Sequence, residues 1–564
     1  MFNKAAERSM SWFLSIGIAF TTVFLVTDAV SDPVNVTKLA AAGGLGFSVF
    51  SISILLLRKE LLSSSKLLII SSIFFIVASF ASILSSASPV SQNIYGSFGR
   101  NTGFVFYLVM IASMLGASTL REISSFTRLL YALFFAGILN VIYCAWVIAF
   151  GDFIGWTNPY RALLGLFGNP NFISSFLGMF ISAVFAYLIA PRARPTIRIT
   201  GLLVCLLAFY EIISSRSIQG IAVTVIGIGL VGFFRLRAAT AKNWFSYLYA
   251  LATLGVISLG IAGALQKGPL ASIIYKSSVS LRGRYWDAGI RAGLEHPYTG
   301  VGMDSYGDWF RRARSEYAAT KMPGTISNAA HNVVIDIFSY GGFPLLLSYL
   351  ALLTIGLISI VRYAKRTKVY NGTFVGLAAA WVCYEVQSII SINQAGLAIW
   401  GWVLLGALVA FEYSTRSDGQ EHAKSSVVSS KKIKNSTGSV FSPQLIGGIG
   451  ALVGVIIAVP PMSADMRWKS ALKSQNLQTL EIALNPGYMQ PSNSAKYTQA
   501  VQLLEQSKFP DLAYTYAKKA VDFNPDSFDS WKLLYFISKS TEDDKARALR
   551  NMKRLDPMNP DVLK

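Results

Sequence analysis

Charge is what this sequence has least of. Only 14% of its 564 residues are Asp, Glu, Lys or Arg, against about 25% in a soluble domain. That scarcity excludes a cytosolic enzyme and a disordered chain. Cysteine occurs three times, at Cys144, Cys205 and Cys383, always inside an apolar run and never as CxxC. A disulfide scaffold and a zinc site are therefore not expected. The three histidines, His296, His331 and His422, are too scattered for a metal cluster. Acidic residues are scarcer still, 29 against 50 basic ones, a formal net charge of +21. In a soluble protein that excess would suggest nucleic acid. In a membrane protein it must first be located, because Lys and Arg also set orientation.

What the chain has in abundance is apolar sequence, 53% of its residues. Thirteen runs approach the roughly 20 residues needed to cross a hydrocarbon core. They lie near 11–30, 38–57, 66–88, 103–120, 129–150, 172–190, 199–214, 218–234, 246–265, 331–361, 372–392, 396–413 and 445–460. The expected fold is an all-α polytopic bundle of about 12–13 spans over residues 1–460, followed by a tail, 461–564, of ordinary soluble composition.

The connections sort by charge. One alternate set holds Lys4, Arg8, Arg58, Lys59, Arg121, Arg128, Arg192, Arg194, Arg198, Arg235, Arg237, Lys242, Arg362, Lys365, Arg366, Lys368 and the Ser/Lys-rich stretch 414–444. With Lys66 and Glu412 at the ends of adjoining runs, these predicted cytoplasmic connections contain 22 Lys and Arg against 6 Asp and Glu. The positive-inside rule then places the N-terminus in the cytoplasm and the tail outside. Most of the positive charge is an orientation signal, and no nucleic-acid partner is expected.

Two larger predicted external pieces remain. The loop 266–330 contains LRGRYWDAGIRAGLEHPYTGVGMDSYGDWF, whose first part has helical spacing at Trp286, Ile290 and Leu294. In the tail, Asn-Pro recurs at Asn485-Pro486, Asn524-Pro525 and Asn559-Pro560, the later interval being 35 residues. That is close to the 34-residue tetratricopeptide period, so a degenerate helical-repeat domain able to bind a protein partner is expected. An ordinary small helical domain is the alternative.

Arg100, Arg161, Arg216, Arg282, Arg284 and His331 all fall near predicted external helix ends. A lone arginine there ordinarily snorkels to the interface. Several in connections where orientation disfavours them instead suggest a guanidinium cluster for a phosphate-bearing group. Around them stand FGNPNF, SSRSIQG, the Arg282-x-x-x-Trp286 spacing, HPYTGVGMDSYG and HNVVIDIFSYGGFPLL. In this order, over about residues 95–410, these motifs resemble the O-antigen ligase and O-antigen polymerase superfamily of bacterial membrane glycosyltransferases. Some members of that superfamily also have a tetratricopeptide-like tail.

The resemblance implies a multi-pass protein of the bacterial cytoplasmic membrane. It would transfer glycan from an undecaprenyl-diphosphate carrier to a glycan, lipid or protein acceptor, by metal-independent inverting displacement and without a cofactor. By position it assigns catalytic roles to Arg216, Arg282 and His331. Arg284 competes with Arg282, and Arg100 is a softer match. Arg161, Trp286 and Asn332 are further candidates for substrate contact. The residue types suit the chemistry, since guanidinium groups stabilise a departing diphosphate and imidazole accepts a hydroxyl proton. Asp336 is marginally spaced to orient His331; Asp287, Glu295 and Asp304 are alternative acidic partners in the loop, whose plainer reading is as solvated charges offsetting neighbouring arginines. Glu211 and Glu385 fall within predicted spans, and Glu211 is spaced to pair with Arg216. A flippase of lipid-linked saccharides and a scaffold acting through the tail are the competing classes.

Overall fold

In the computed structural model, residues 3–191, 193–275, 277–416 and 441–563 are described. Arg192 and the stretch 417–440 with His422, both assigned above to basic connections, lie outside them. Among the described residues the elements are helices, apart from one isolated bridge between Gly487 and Gln490. A chain surrounded by hydrocarbon must satisfy its backbone polar groups internally, and the helix does so within each segment.

Each of the thirteen apolar runs falls on a helix. Ten of these helices are long and apolar enough to cross a membrane, and an eleventh arises if Pro443–Ala458 and Pro460–Ser474, bent by 51°, form one broken span. Phe104–Ala117 is apolar but has only 14 residues. The chain is thus a polytopic helical membrane protein. The first run differs from expectation: its helix, Lys4–Val23, stops early, and Phe24 is extended. The Ala395–Ser414 helix runs through the centre, its apolar stretch wholly buried, whereas Trp244–Ala264 lies at the edge with 6% buried. Small residues allow the closest crossing, where Gly43 of Asn35–Leu56 meets Gly454 and Ala458, as expected when dispersion rather than the hydrophobic effect joins helices.

The Val333–Arg366 helix is not continuous. Gly341 and Gly342 leave helical geometry, Gly342 with φ 61° and ψ −158°, a region open essentially to glycine alone. The freed carbonyls of Ser339 and Tyr340 accept the Val301 and Gly302 N–H groups at 2.9 and 3.1 Å, and the Phe343 N–H donates to the Pro297 carbonyl at 2.7 Å. The HPYTGVG turn therefore docks through backbone hydrogen bonds into a gap in a helix. A Cβ on Gly342 would meet the Pro297 carbonyl. Gly342→Ala is expected to destabilise the fold by about 1–3 kcal/mol. A drop in the thermal unfolding midpoint of the purified protein checks this, and an unchanged midpoint contradicts it.

The tail has its own hydrophobic cluster, which includes Trp468, Tyr497, Tyr516, Trp531 and Leu555. Its helices follow as Pro460–Ser474 with Leu477–Leu484, Ser494–Gln506 with Pro510–Phe523, and Phe528–Phe536 with Glu542–Leu555. Each of the three Asn-Pro pairs comes shortly after the second helix of a pair. The tail does not stand apart from the 266–330 loop. Buried Arg314 makes a bidentate pair with Asp556 at 2.7 and 2.8 Å, and Arg312 pairs with Asp526 at 3.1 Å. Asp308 accepts from Gln92 at 3.0 Å and from Asn524 at 3.2 Å, which joins loop, bundle and tail at one carboxylate.

Candidate functional site

The connections on one face of the bundle converge. At their centre is Arg100, 4% exposed. Its Nε lies 3.2 Å from Asp304 Oδ1, Nη1 donates to the Asn328 carbonyl at 2.7 Å, and Nη2 donates to the Tyr340 hydroxyl at 2.9 Å. Burial opposes the charge of Arg100, but Tyr340, Asp304 and Asp336 hold its proton more tightly than usual. The Asp304 carboxylate is also held by the Ser97 N–H at 2.8 Å and the Tyr340 hydroxyl at 3.1 Å. Asp304 is fully buried, so its reading as a solvated loop charge is corrected. Its partners lie more than 30 residues away in sequence, and no local period announces such a contact.

His331 sits just before the Val333–Arg366 helix with φ 56°, a left-handed conformation. Its neighbour Asn332 accepts the Val334 and Ile335 N–H groups at 3.0 and 3.2 Å, capping that helix. The Asn332 side-chain oxygen is thus engaged within the protein. Asp336 Oδ1 accepts the Ala330 N–H at 2.7 Å, while its Oδ2 has no hydrogen-bond partner. Asp336 therefore orients the backbone before His331 and not the imidazole, in keeping with its marginal spacing.

The loop helix Ser277–Glu295 faces this histidine. Tyr285 brings its ring to 5.5 Å from that of His331, and the Tyr285 carbonyl accepts the Tyr306 hydroxyl at 2.8 Å. Arg282, three residues earlier, lies on the same side of that helix. Burial lowers the proton affinity of Arg282, with no acidic neighbour among the described residues offsetting it. Burial, then the charges of Arg100 and Arg282, push His331 down to about 4. The imidazole is thus neutral at pH 7.

Arg284 turns elsewhere. It lies 5.0 Å over the Tyr317 ring and touches the Met322 sulfur. Of the two competing loop arginines, Arg282 is the one beside His331. Trp286 packs against the main core, and its indole nitrogen is buried without a hydrogen-bond partner. Asp287 pairs with Arg291 at 3.0 Å, partly exposed, as a solvated loop charge should.

Arg216 and Arg161 are exposed, with φ 58° and 48°. Ser217 beside Arg216 donates to Asn171 at 2.8 Å, and Gly220 packs on Ser174. SSRSIQG and FGNPNF are therefore in direct contact. Both Glu211 oxygens are buried without a hydrogen-bond partner, so a hydrogen-bonded pair with Arg216 is not formed. A cavity of about 430 Å³ is lined by Tyr160, Asn169 and Phe172 together with Arg100 and Asn328.

Sequence reasoning missed Lys38, fully buried in the Asn35–Leu56 helix. Its ammonium donates to the Thr21 and Thr22 carbonyls in the last turn of Lys4–Val23. A cation at a helix C-terminus offsets the exposed carbonyl dipoles. A lysine inside an apolar run was the available signal.

The helical bundle and the histidine–arginine cluster on its loop face define a polytopic membrane protein with a candidate anion-binding site. A family model described as O-antigen ligase matches residues 203–350. The matched segment contains Arg216, Arg282, Arg284 and His331. It supports, over that segment, the resemblance to the O-antigen ligase and polymerase superfamily read from the motifs. No curated protein matches the chain.

Proposed function

We propose that this protein transfers a glycan from an undecaprenyl-diphosphate-linked donor to an acceptor hydroxyl at the outer face of the bacterial cytoplasmic membrane. The single observation behind this reading is the neutral imidazole of His331 beside Arg282. The acceptor oxygen attacks the anomeric carbon and gives its proton to His331. The bond from that carbon to the phosphate oxygen breaks, the carbon inverts, and the diphosphate leaves with its electron pair. Arg282 and Arg216 stabilise the charge on the leaving group, so neither a metal nor another cofactor takes part in this reading. Arg100, engaged with Asp304 and Tyr340, is a positioning residue. The acceptor is a glycan, a lipid or a protein. The three helix pairs of the tail support a tetratricopeptide-like module that recruits the acceptor or a partner protein.

An imidazole titrating near 4 is a weak base, but a bound diphosphate counteracts the arginines and draws its pKa upward. Purified protein, lipid-linked glycan and candidate acceptors, with mass analysis of the product, test the reading. Because protonation removes the base, kcat/KM is expected to stay level from pH 7 to about 5 and to fall near 4, the value in the free enzyme. The acidic limb of kcat should lie at higher pH. Full transfer by His331→Ala would refute the assignment. Movement of lipid-linked glycan across vesicles with no new glycosidic product would favour a flippase.

A further inference from the structure

The cavity of about 430 Å³ beside Arg100 has no role in the chemistry above. Its volume lies in the range of about 300–1,000 Å³ typical of small-molecule sites. The wall brings together Asp32, Asn35, Trp156, Tyr160, Asn169 and, from the tail, Lys469. With Phe167 and Phe172, four aromatic side chains are thus set among amides and only three charged groups, Asp32, Arg100 and Lys469.

The aromatic residues are held in place. The Trp156 indole N–H donates to Asp152 at 2.8 Å, and Asp152 also accepts the Tyr143 hydroxyl at 2.7 Å. Asp152 is not part of the cavity wall, so the indole nitrogen is engaged behind it, and the benzene part of Trp156 lies next to Gly168. The Tyr160 hydroxyl accepts from Asn169 at 3.2 Å. An indole fixed through its only donor offers a ligand apolar surface.

Charge separates this cavity from a diphosphate site. Arg100 is already paired with Asp304. Asp32 accepts the Val34 and Asn35 N–H groups at 3.1 and 2.9 Å, occupying donors at that helix N-terminus. Lys469 shares the wall with the acidic Asp32. Little uncompensated positive charge remains, unlike at Arg282. An uncharged polyhydroxyl ligand with apolar ring faces fits such a lining.

We infer that this cavity is a saccharide subsite, which seats uncharged sugar rings of the donor or acceptor glycan next to the segment bearing His331. The inference rests on the glycosyl-transfer reading and adds to it where the sugar is held. Asn328, in the cavity wall, is three residues before His331 and is tied to Arg100. The placement of Lys469 makes the tail part of the subsite.

Binding measurements on the full chain in detergent micelles test this, with two probes titrated by calorimetry. One is the oligosaccharide freed from the lipid-linked pool by mild acid; the other is inorganic diphosphate. Trp156→Ala is expected to weaken oligosaccharide binding at least tenfold and to leave diphosphate binding unchanged, while Trp156→Phe retains most of it. Tyr160→Ala, at a residue 50% exposed, serves as a second variant with little risk to folding and should weaken the oligosaccharide at least threefold. Wild-type oligosaccharide affinity in folded Trp156→Ala or in Tyr160→Ala overturns the proposal, as does equal loss of both probes. A rise in KM for donor or for acceptor in Trp156→Ala identifies which glycan occupies the site. Saccharide binding that depends on Trp156 without any transfer would defeat the glycosyl-transfer reading and leave the subsite standing.

Discussion

Arg282→Ala should lower glycan transfer about 10²–10³-fold, the loss expected when one preorganised stabiliser of a developing negative charge is removed. Arg282 is half-buried with no acidic neighbour among the described residues offsetting its burial, and its charge reaches His331 across the loop interface. A cation held there without a counter-ion among the described residues is poised for an anionic ligand. Lysine should restore little, because it lacks the planar fork that meets two phosphate oxygens at once. Arg284→Ala is the control, since Arg284 lies over Tyr317 and not beside the histidine; its loss should cost less than tenfold. Initial rates with matched membrane levels of each variant decide the matter. An inactive Arg284→Ala with an active Arg282→Ala would reverse the assignment.

Arg314→Ala should be the most destabilising of the charge removals. The Arg314 guanidinium is 2% exposed and holds both oxygens of a fully buried Asp556. Removing one partner leaves the other charge buried, which typically costs about 3–5 kcal/mol, whereas replacing both with apolar groups of similar size is often near neutral. The paired replacement Arg314→Met with Asp556→Leu should therefore recover much of what Arg314→Ala loses, although Arg311, 3.5 Å from Asp556, also loses a partner. Unfolding midpoints and protease sensitivity of the tail measure both variants. Tail protection equal to wild type in Arg314→Ala would show that this pair does not hold the tail to the loop.

The bundle was legible in the sequence because a spanning helix needs an uninterrupted apolar run, and each of the thirteen runs coincides with a helix. The positions of Arg282 and His331 were legible as ordered motifs. What sequence reasoning missed shares one physical trait: it depends on pairing between distant segments. Asp304 looked like a loop charge until Arg100, more than 200 residues away, closed over it. At the early stop of the first helix the last carbonyls are met by Lys38 from the next one. The Gly341–Gly342 break was hidden inside a run that hydropathy alone makes continuous, although two adjacent glycines followed by Pro344 were a visible warning. The docking of Arg311, Arg312 and Arg314 on the tail was likewise unreadable from a basic cluster, which ordinarily faces solvent.

The Arg314–Asp556 pair also has a bearing on biosynthesis. The two residues are 242 positions apart, so every nascent chain completes the loop helices long before it makes the carboxylate they require. During that interval the guanidinium stays hydrated, and the loop cannot close around it without a large desolvation penalty. Final consolidation of the loop therefore waits for the last helix pair of the tail. A chain cut short by a premature stop or by proteolysis would keep its spans but lack a settled loop.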